Sequence, residues 1–345
     1  MQIKRVIRVL IVDDSKLFRE FLINGLQNDL SIEVVGWASD PYMARDRIIE
    51  LRPDVMTLDV EMPKMDGIEF LKKLMPQHPM PVVVVSSIDT RVFEALHAGA
   101  VDYVSKPAGK TPQGMNLMIK ELAVKIKIAS TVNLSLLKRK YARAEMLTST
   151  KQERITKSII VIGASTGGTE ATHSILKELM PNMPPILIVQ HMPPIFTKLY
   201  ADRMNATCSL NVKEAEDGEE LKNNYVYIAP GDYHMKVNRS AQGTFIKLFQ
   251  GERVNGHCPS VDVLFESISE QYGKDAVSVI LTGMGNDGAK GMLKLRQRGC
   301  RTLGQNEESC IVYGMPKVAM DLGGVEDELP LKEMARVISK LVTMD

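Results

Sequence analysis

The chain has 345 residues, of which 44% are hydrophobic and 25% charged, an ordinary composition for a globular protein. Its 43 basic and 42 acidic residues give a formal net charge of +1, so the overall charge favours neither a nucleic-acid partner nor a membrane surface. The four cysteines are far apart and form no C-x-x-C pair, which favours reduced thiols over a disulfide framework or a zinc site.

The length predicts two domains, because a single hydrophobic core rarely grows beyond about 250–300 residues. The N-terminal apolar run 9–12 stops at Asp13 and Asp14 without a small-residue cleavage site, so no secretory signal peptide is expected. No run of 18 uncharged apolar residues is present. We therefore expect a cytoplasmic protein that does not insert into membranes.

Residues 1–107 alternate short apolar runs with amphipathic stretches, which predicts repeated strand–helix units. A last helix is expected from about Gly114. Such alternation is typical of a parallel sheet with helices on both faces. The predicted strands are 6–12, 34–38, 55–58, 82–85 and 103–104, and the predicted helices between them are 15–29, 42–51, 68–75 and 90–98.

A stretch rich in Lys, Arg, Ser and Thr follows this first half, and we place a linker at residues 130–155. The predicted domains are thus 1–129 and 156–345. Strand–helix alternation resumes in the second, which predicts another doubly wound α/β domain with a mainly parallel sheet. Its predicted strands are 158–162, 186–189, 225–229, 277–282 and 302–304, with a hairpin pairing 235–238 with 245–249.

Charged side chains follow three of the predicted strands in the first half. Asp13 and Asp14 follow the first strand, Asp59 the third and Lys106 the fifth. The carboxyl ends of parallel strands meet at one edge of a sheet, so these groups are expected to converge. Clustered carboxylates repel one another unless a hard cation lies among them, and Mg²⁺ prefers oxygen ligands. The pattern indicates phosphoryl transfer, with Asp59 as the acceptor.

In the second half, the small-residue segment Gly163–Gly168 follows an apolar strand and displays Ser165 at a turn. A dinucleotide-binding loop would need a glycine at the position of Ser165 and an acid after the next strand, which ends instead in Gln190 and His191. The G-x-S-x-G spacing matches the nucleophile elbow of α/β-hydrolases, although the order of the other candidate residues does not. Ser165 is therefore the candidate nucleophile.

His191 is the candidate general base, because it alone of the six histidines directly follows a predicted parallel strand of this half. His173 is expected to face away from the serine turn, and His234 and His257 are expected in loops. The alternative for His191 is an ordinary surface or packed histidine.

Asp287 is the candidate third member of a catalytic triad, in a glycine-rich loop after the strand 277–282. The alternative is a simple Asn-Asp-Gly turn without a function. The backbone N–H groups of Thr166 and Met284 are the candidate oxyanion donors.

The first half resembles a two-component receiver domain through its motifs Leu58–Pro63, Met65–Gly67 and Ser105–Pro107. This resemblance implies that Asp59 is phosphorylated. It also implies that Asp14, Asp59 and the Glu61 carbonyl hold Mg²⁺ while Asp13 acts through water. By the same resemblance, the receiver switch residues are Ser86, Tyr103 and Lys106.

Nearly the whole chain resembles the chemotaxis response regulator protein-glutamate methylesterase (CheB) family. The motifs that carry this resemblance are 163–170, 190–194, 229–232, 259–262 and 281–288. It implies hydrolysis of γ-methyl glutamyl esters on methyl-accepting chemoreceptors to glutamate and methanol, without a cofactor for the esterase step. It further implies deamidation of receptor glutamines and phosphorylation by a chemotaxis sensor histidine kinase.

Two other functions are compatible with a receiver domain. The second half could be a receptor-binding module that does not turn over substrate. It could also be a DNA-binding regulator, but the near-neutral charge and the lack of a helix-turn-helix pattern argue against this.

Overall fold

The computed structural model describes residues 6–343 except 63–64, 88, 108, 110 and 133–155. The chain divides into two compact units, Met1–Glu145 and Met146–Asp345. Most of the predicted linker 130–155 lies outside the described residues, so the linker and the exact domain limits stay predictions.

The first unit contains a five-stranded parallel sheet in the order β2-β1-β3-β4-β5. This confirms the predicted fold of the first half. The strands are β1 (Ile7–Val12), β2 (Ile32–Ala38), β3 (Val55–Asp59), β4 (Val82–Ser86) and β5 (Asp102–Ser105). The helices are α1 (Lys16–Leu26), α2 (Pro41–Leu51), α3 (Gly67–Gln77), α4 (Asp89–His97) and α5 (Pro112–Ala129).

Local sequence signals explain where these elements begin and end. Strands β3 and β4 are buried along their whole length, as expected of central strands covered by helices on both faces. Helix α1 begins after Ser15, whose side chain accepts a hydrogen bond from the Phe18 N–H, and Asp40 caps α2 in the same manner. These caps place the helix starts within one residue of the predicted ones.

The second unit contains a seven-stranded parallel sheet in the order β14-β13-β12-β6-β7-β9-β8 and a separate antiparallel hairpin, β10-β11. Its parallel strands are β6 (Ile159–Ala164), β7 (Ile186–Gln190), β8 (Asn211–Glu214), β9 (Tyr225–Ile228), β12 (Ala276–Ile280), β13 (Arg301–Gln305) and β14 (Asp327–Leu329). The hairpin strands are β10 (His234–Ser240) and β11 (Gly243–Phe249). The mainly parallel sheet and the hairpin were both predicted.

The α-helices in the described residues of the second unit are α6 (Gly168–Glu178), α7 (Pro194–Thr207), α8 (Val261–Gln271), α9 (Ala289–Gln297), α10 (Met315–Asp321) and α11 (Leu331–Thr343). The sequence analysis missed β8 and β14. Both are short strands at the two edges of the sheet, and β14 has no fully buried residue. They therefore lack the apolar run that marks a central strand.

Strand β6 lies in the interior of this sheet, hydrogen-bonded to β12 on one side and β7 on the other. The loops that follow these three neighbouring strands emerge at one edge of the sheet. Those loops carry Ser165, His191 and Asp287. Within the described ranges, no helix is long and apolar enough to cross a membrane.

Candidate active site

The serine loop leaves β6 and turns at once into α6. The Ser165 N–H donates to the Thr282 carbonyl at 3.0 Å, and the Ser165 carbonyl accepts from the Gly168 N–H at 2.7 Å. Gly167, the residue before the helix, has a φ of +77°, a left-handed conformation that glycine adopts without strain. The half-buried Ser165 thus stands directly before the N-terminus of a helix, where unpaired N–H groups favour negative charge.

His191 follows β7 and lies beside the serine loop. Its N–H donates to the carbonyl of Ala164 at 3.1 Å. The side chain of Gln190 joins the two loops, since its amide nitrogen donates to the carbonyls of Ser165 at 2.9 Å and His191 at 3.3 Å. Sequence reasoning passed over this role of Gln190. The available signals were its position at the last residue of a buried strand and at the start of the motif 190–194.

The imidazole of His191 pairs with Asp287. Its Nε2 lies 2.9 Å from Asp287 Oδ2. Its Nδ1 is buried and has no hydrogen-bond partner within the described part of the chain. Since one ring nitrogen is taken by the carboxylate, Nδ1 is the nitrogen left to accept a proton.

Asp287 accepts hydrogen bonds from four further donors, which belong to the segment before α8 and to the first two residues of that helix. The Val261 N–H binds Oδ2 at 2.7 Å. Oδ1 accepts from Ser260 Oγ at 2.7 Å, Asn255 Nδ2 at 2.9 Å and the Asp262 N–H at 3.2 Å. A carboxylate from another loop therefore caps the N-terminus of α8, which explains why Ser260 does not cap it with its own side chain.

These donors determine the charge of Asp287. Burial alone raises the pKa of its carboxyl group. The hydrogen bonds from His191, Asn255 and Ser260 outweigh that effect and hold the pKa well below its usual range. Asp287 is thus a fixed anion that can orient the imidazole of His191 and stabilise its protonated form.

The loop after β12 packs tightly against the serine loop. A Cβ atom on Gly283 would come within 2.6 Å of Ser165 Cβ, so only glycine permits this approach. The Gly283 N–H donates to the Val312 carbonyl at 3.0 Å, which fixes the residue before Met284. Of the predicted oxyanion donors, Thr166 directly follows Ser165 in the serine loop, and Met284 directly follows Gly283 in the loop after β12. Their role stays a prediction.

The other histidines differ partly from expectation. His173 lies in α6, and its Nε2 contacts Thr207 Oγ1 at 3.0 Å. The expectation of a loop for His234 was wrong, because His234 begins β10 and is buried, with Nε2 bonded to the Glu252 carbonyl. His257 was expected only to lie in a loop. Its ring stacks on that of His191, with centroids 3.7 Å apart and planes 6° from parallel.

The acidic residues of the first unit also converge. Carboxylate oxygens of Asp13, Asp14 and Asp59 all lie within 4.8 Å of one another. Lys106 Nζ lies 2.8 Å from Asp13 Oδ2 and 2.5 Å from Asp59 Oδ2, and the Glu61 N–H donates to Asp59 Oδ1 at 3.1 Å. The predicted acceptor, its lysine and its acidic neighbours thus form one cluster.

This cluster fits a hard divalent cation. Asp13 and Asp59 are buried, and Asp14 is exposed. Burial raises the pKa of Asp59 to about 6 even though Lys106 opposes the shift. Three close carboxylates, of which Asp13 and Asp59 share the ammonium group of Lys106, are an oxygen donor set of the kind that Mg²⁺ prefers.

The predicted switch residues Ser86 and Tyr103 lie on the neighbouring strands β4 and β5. Ser86 ends β4, and its carbonyl accepts from the Lys106 N–H at 2.9 Å. Tyr103 is buried in β5, and Lys125 Nζ lies 4.7 Å from the centre of its ring. Their roles in switching stay predictions.

Comparisons with known proteins agree with this division of the chain. The family described as CheB methylesterase matches residues 160–338, and the response regulator receiver domain matches residues 9–114. A protein-glutamate methylesterase/protein-glutamine glutaminase from Syntrophomonas wolfei is 50% identical over 342 residues, 99% of both chains. The protein of that name from Escherichia coli K12 is 48% identical over 96% of this chain and 95% of its own.

A solved structure gives the corresponding result for the second unit. The chain is similar to the crystal structure of the catalytic domain of CheB methylesterase from Thermotoga maritima. The match has 41% identity and a TM-score of 0.53, and it covers 55% of this chain and 100% of the other.

Proposed function

The chain belongs to the CheB methylesterase family and carries a response regulator receiver domain, and we propose that it hydrolyses γ-methyl glutamyl esters on chemoreceptors during chemotaxis adaptation. The products are glutamate side chains and methanol. The observation that carries this proposal is the pairing of His191 with Asp287 beside the loop that displays Ser165.

The arrangement supports a two-step acyl transfer. His191 Nδ1 takes the proton of Ser165 Oγ as that oxygen attacks the ester carbon, and Asp287 stabilises the resulting imidazolium. The backbone N–H groups of Thr166 and Met284 stabilise the oxyanion, each worth about 3–4 kcal/mol in comparable sites. When the carbon–oxygen bond of the ester breaks, His191 returns its proton to the methoxide, and methanol leaves.

Water completes the reaction. His191 removes a proton from a water molecule, whose oxygen attacks the acyl carbon, and Ser165 Oγ takes the proton back as it departs. The same steps on a glutamine amide release ammonia instead of methanol. A glutaminase activity on receptor glutamines therefore needs no further residue.

The test is methanol release from methylated chemoreceptor membranes by the full chain. We expect Ser165→Ala to lower the rate by at least about 10³-fold. Ser174→Ala, a serine later in α6, serves as the matched control and should leave the rate unchanged. Wild-type chain that binds the receptor without releasing methanol would contradict the proposal and favour the non-catalytic binding module.

The first unit supports regulation by phosphorylation. We propose that a chemotaxis sensor histidine kinase phosphorylates Asp59 in the cytoplasm and that this modification raises the esterase activity. Bound Mg²⁺ would neutralise the negative charge of the transferred phosphoryl group. Asp14, Asp59 and the Glu61 carbonyl would hold it, with Asp13 acting through water, while Lys106 lies ready to bind a phosphoryl oxygen on Asp59.

A further inference from the structure

One turn of the second unit contacts both members of the histidine–aspartate pair. In the segment Val254–His257, the two end residues exchange backbone hydrogen bonds of 3.0 Å in both directions. The two central residues, Asn255 and Gly256, have φ angles of +52° and +85°. Two positive φ angles in succession define the type I′ turn, for which Asn-Gly is the preferred sequence. The turn is therefore rigidly specified by its own residues.

His257, the last residue of this turn, covers one face of the catalytic imidazole. The two rings are almost parallel, and their centroids are 3.7 Å apart. The Asp287 contact fixes His191 at Nε2 but leaves the ring free to tilt about that hydrogen bond. A flat ring stacked on its face removes this freedom and holds Nδ1 in one direction.

The stacking ring carries no charge at neutral pH. Burial and the neighbouring His191 both lower the pKa of His257, to about 4. His257 therefore presents a neutral aromatic face while His191 takes up the serine proton, and it does not repel the imidazolium that forms.

Asn255, from the same turn, holds the carboxylate. Its Nδ2 donates to Asp287 Oδ1 at 2.9 Å and to Asp262 Oδ2 at 2.8 Å. One amide group thus bridges two adjacent buried acids and keeps Asp287 at a fixed distance from Asp262. The other Oδ1 donors, Ser260 and the Asp262 N–H, come from the start of α8 and not from the turn.

We infer that the Val254–His257 turn is a positioning element of the esterase, in which His257 fixes the ring plane of His191 and Asn255 fixes the carboxylate of Asp287. This inference rests on the proposed function, since it assigns both residues an effect on the chemical step. Neither residue touches the reacting atoms. Their loss should therefore lower kcat and leave KM unchanged.

The experiment uses the full chain. Its substitutions test the His257 ring and the Asn255 amide separately, without changing the backbone conformation of the turn. His257→Leu removes the aromatic face, and His257→Phe retains it without a titrating group. Asn255→Gly removes the amide and keeps the positive φ. The matched control is His173→Leu, whose histidine contacts Thr207 on α7.

Two readouts are needed: kcat and KM for methanol release, and the rate of covalent reaction with a fluorophosphonate probe. The probe reports the reactivity of Ser165 without the macromolecular substrate. Circular dichroism gives the folded fraction of each variant, so that every rate refers to folded protein.

We expect His257→Leu to lower kcat and the probe rate about five- to tenfold, the value of an aromatic contact, with KM unchanged. His257→Phe should restore both rates to within about twofold of the wild type. Asn255→Gly should lower both about three- to tenfold, the value of one ordinary hydrogen bond, because the other donors to Asp287 remain. His173→Leu should match the wild type.

Folded His257→Leu protein with wild-type rates would overturn the inference, and so would a Phe variant as slow as the Leu variant. A change in KM alone would also overturn it, since that result indicates a substrate contact. A wild-type chain that neither releases methanol nor reacts with the probe would overturn the proposed function and this inference together. A reactive wild type with unaffected turn variants would overturn the inference alone.

Discussion

Asp59 ends one parallel strand and Asp287 lies in the loop after another, and both carboxylates are buried, yet their surroundings differ in kind. They are 3% and 1% exposed, respectively. Burial raises the pKa of Asp59 to about 6, whereas hydrogen bonds hold the pKa of Asp287 well below its usual range. Depth of burial therefore does not explain why the two pKa values differ. The cause is the set of hydrogen-bond donors around each carboxylate.

Within the described residues, Asp59 shares the cation of Lys106 with Asp13 and accepts a hydrogen bond from the backbone N–H of Glu61. Asp287 accepts from five donors, among them two N–H groups at the start of a helix. The Asp59 carboxylate keeps lone pairs for a cation or a phosphoryl group. The Asp287 carboxylate has none to spare, which suits a group that orients a partner without reacting itself.

The largest expected effect is that one substitution abolishes phosphorylation of the first unit but leaves basal methanol release by the second unit in place. Asp59→Asn should abolish formation of the acyl phosphate, since an amide cannot accept the phosphoryl group, while basal methanol release persists. Radiolabelled phosphodonor and the methanol assay measure the two activities. The control Asp66→Asn keeps the cap of α3 and should be phosphorylated normally. Stimulation that survives Asp59→Asn would place the acceptor elsewhere.

The second effect is catalytic. Asp287→Asn should lower kcat for methanol release by roughly 10³- to 10⁴-fold, because the amide favours the wrong tautomer of His191 and removes the charge that stabilises the imidazolium. Asp262→Asn is the matched control at the same helix terminus and should cost less than about tenfold. Equal losses in the two variants would mean that Asp287 serves only the fold of this loop.

The strands that carry these aspartates were predictable because each is a buried apolar run followed by polar residues. The apolar runs before Asp59 and Ser165 predicted strands that end within two residues of the observed ends, and the convergence of their loops followed from the parallel sheet. The edge strands β8 and β14 could not be predicted from the sequence. They are short and half-exposed, so they contain no apolar run that would mark them as strands.

The histidine–aspartate pair was also predictable, since both residues follow strands that flank the strand before Ser165. The contacts of Asn255 and His257 were not. They lie 32 and 30 residues before Asp287, in a turn that follows no parallel strand, and only the folded chain brings them to His191. The Asn-Gly pair predicts the turn itself but not what the turn contacts.

The third effect is on stability, and its sign differs between the two sites. In the presence of a chelator, Asp59→Asn should raise the thermal midpoint of the first unit by roughly 2–5 °C, because it removes a buried charge close to Asp13 and Asp14. Asp287→Asn should lower the midpoint of the second unit by roughly 5–10 °C, because an NH₂ group would face backbone N–H donors. Scanning calorimetry of the full chain measures both. Shifts of the same sign would remove the proposed distinction between the two carboxylates.

The smallest expected effect is on the pH dependence of the stability of the second unit, where the contribution of His257 can be separated from that of Asp287. The pKa of His257 falls from 6.5 to about 4 in the folded state, through burial and the facing His191, with Arg253 adding to the shift and Asp287 opposing it. As pH falls from 6.5 to 4, His257 binds a proton in the unfolded chain but stays neutral in the folded chain. The second unit therefore loses stability.

Asp287 contributes little to this slope above about pH 5, because its carboxyl group takes up a proton near pH 3.8 in the unfolded chain and only at lower pH in the folded chain. His257→Phe should therefore flatten the decline of the thermal midpoint between pH 6.5 and 4 by about 1–2 °C, while His173→Leu leaves it unchanged. Since His257 is only partly buried, this shift is the smallest of those expected. An unchanged slope in His257→Phe would mean that the folded chain protonates His257 as readily as the unfolded chain does, and the neutral stacking face would then be lost at mildly acidic pH.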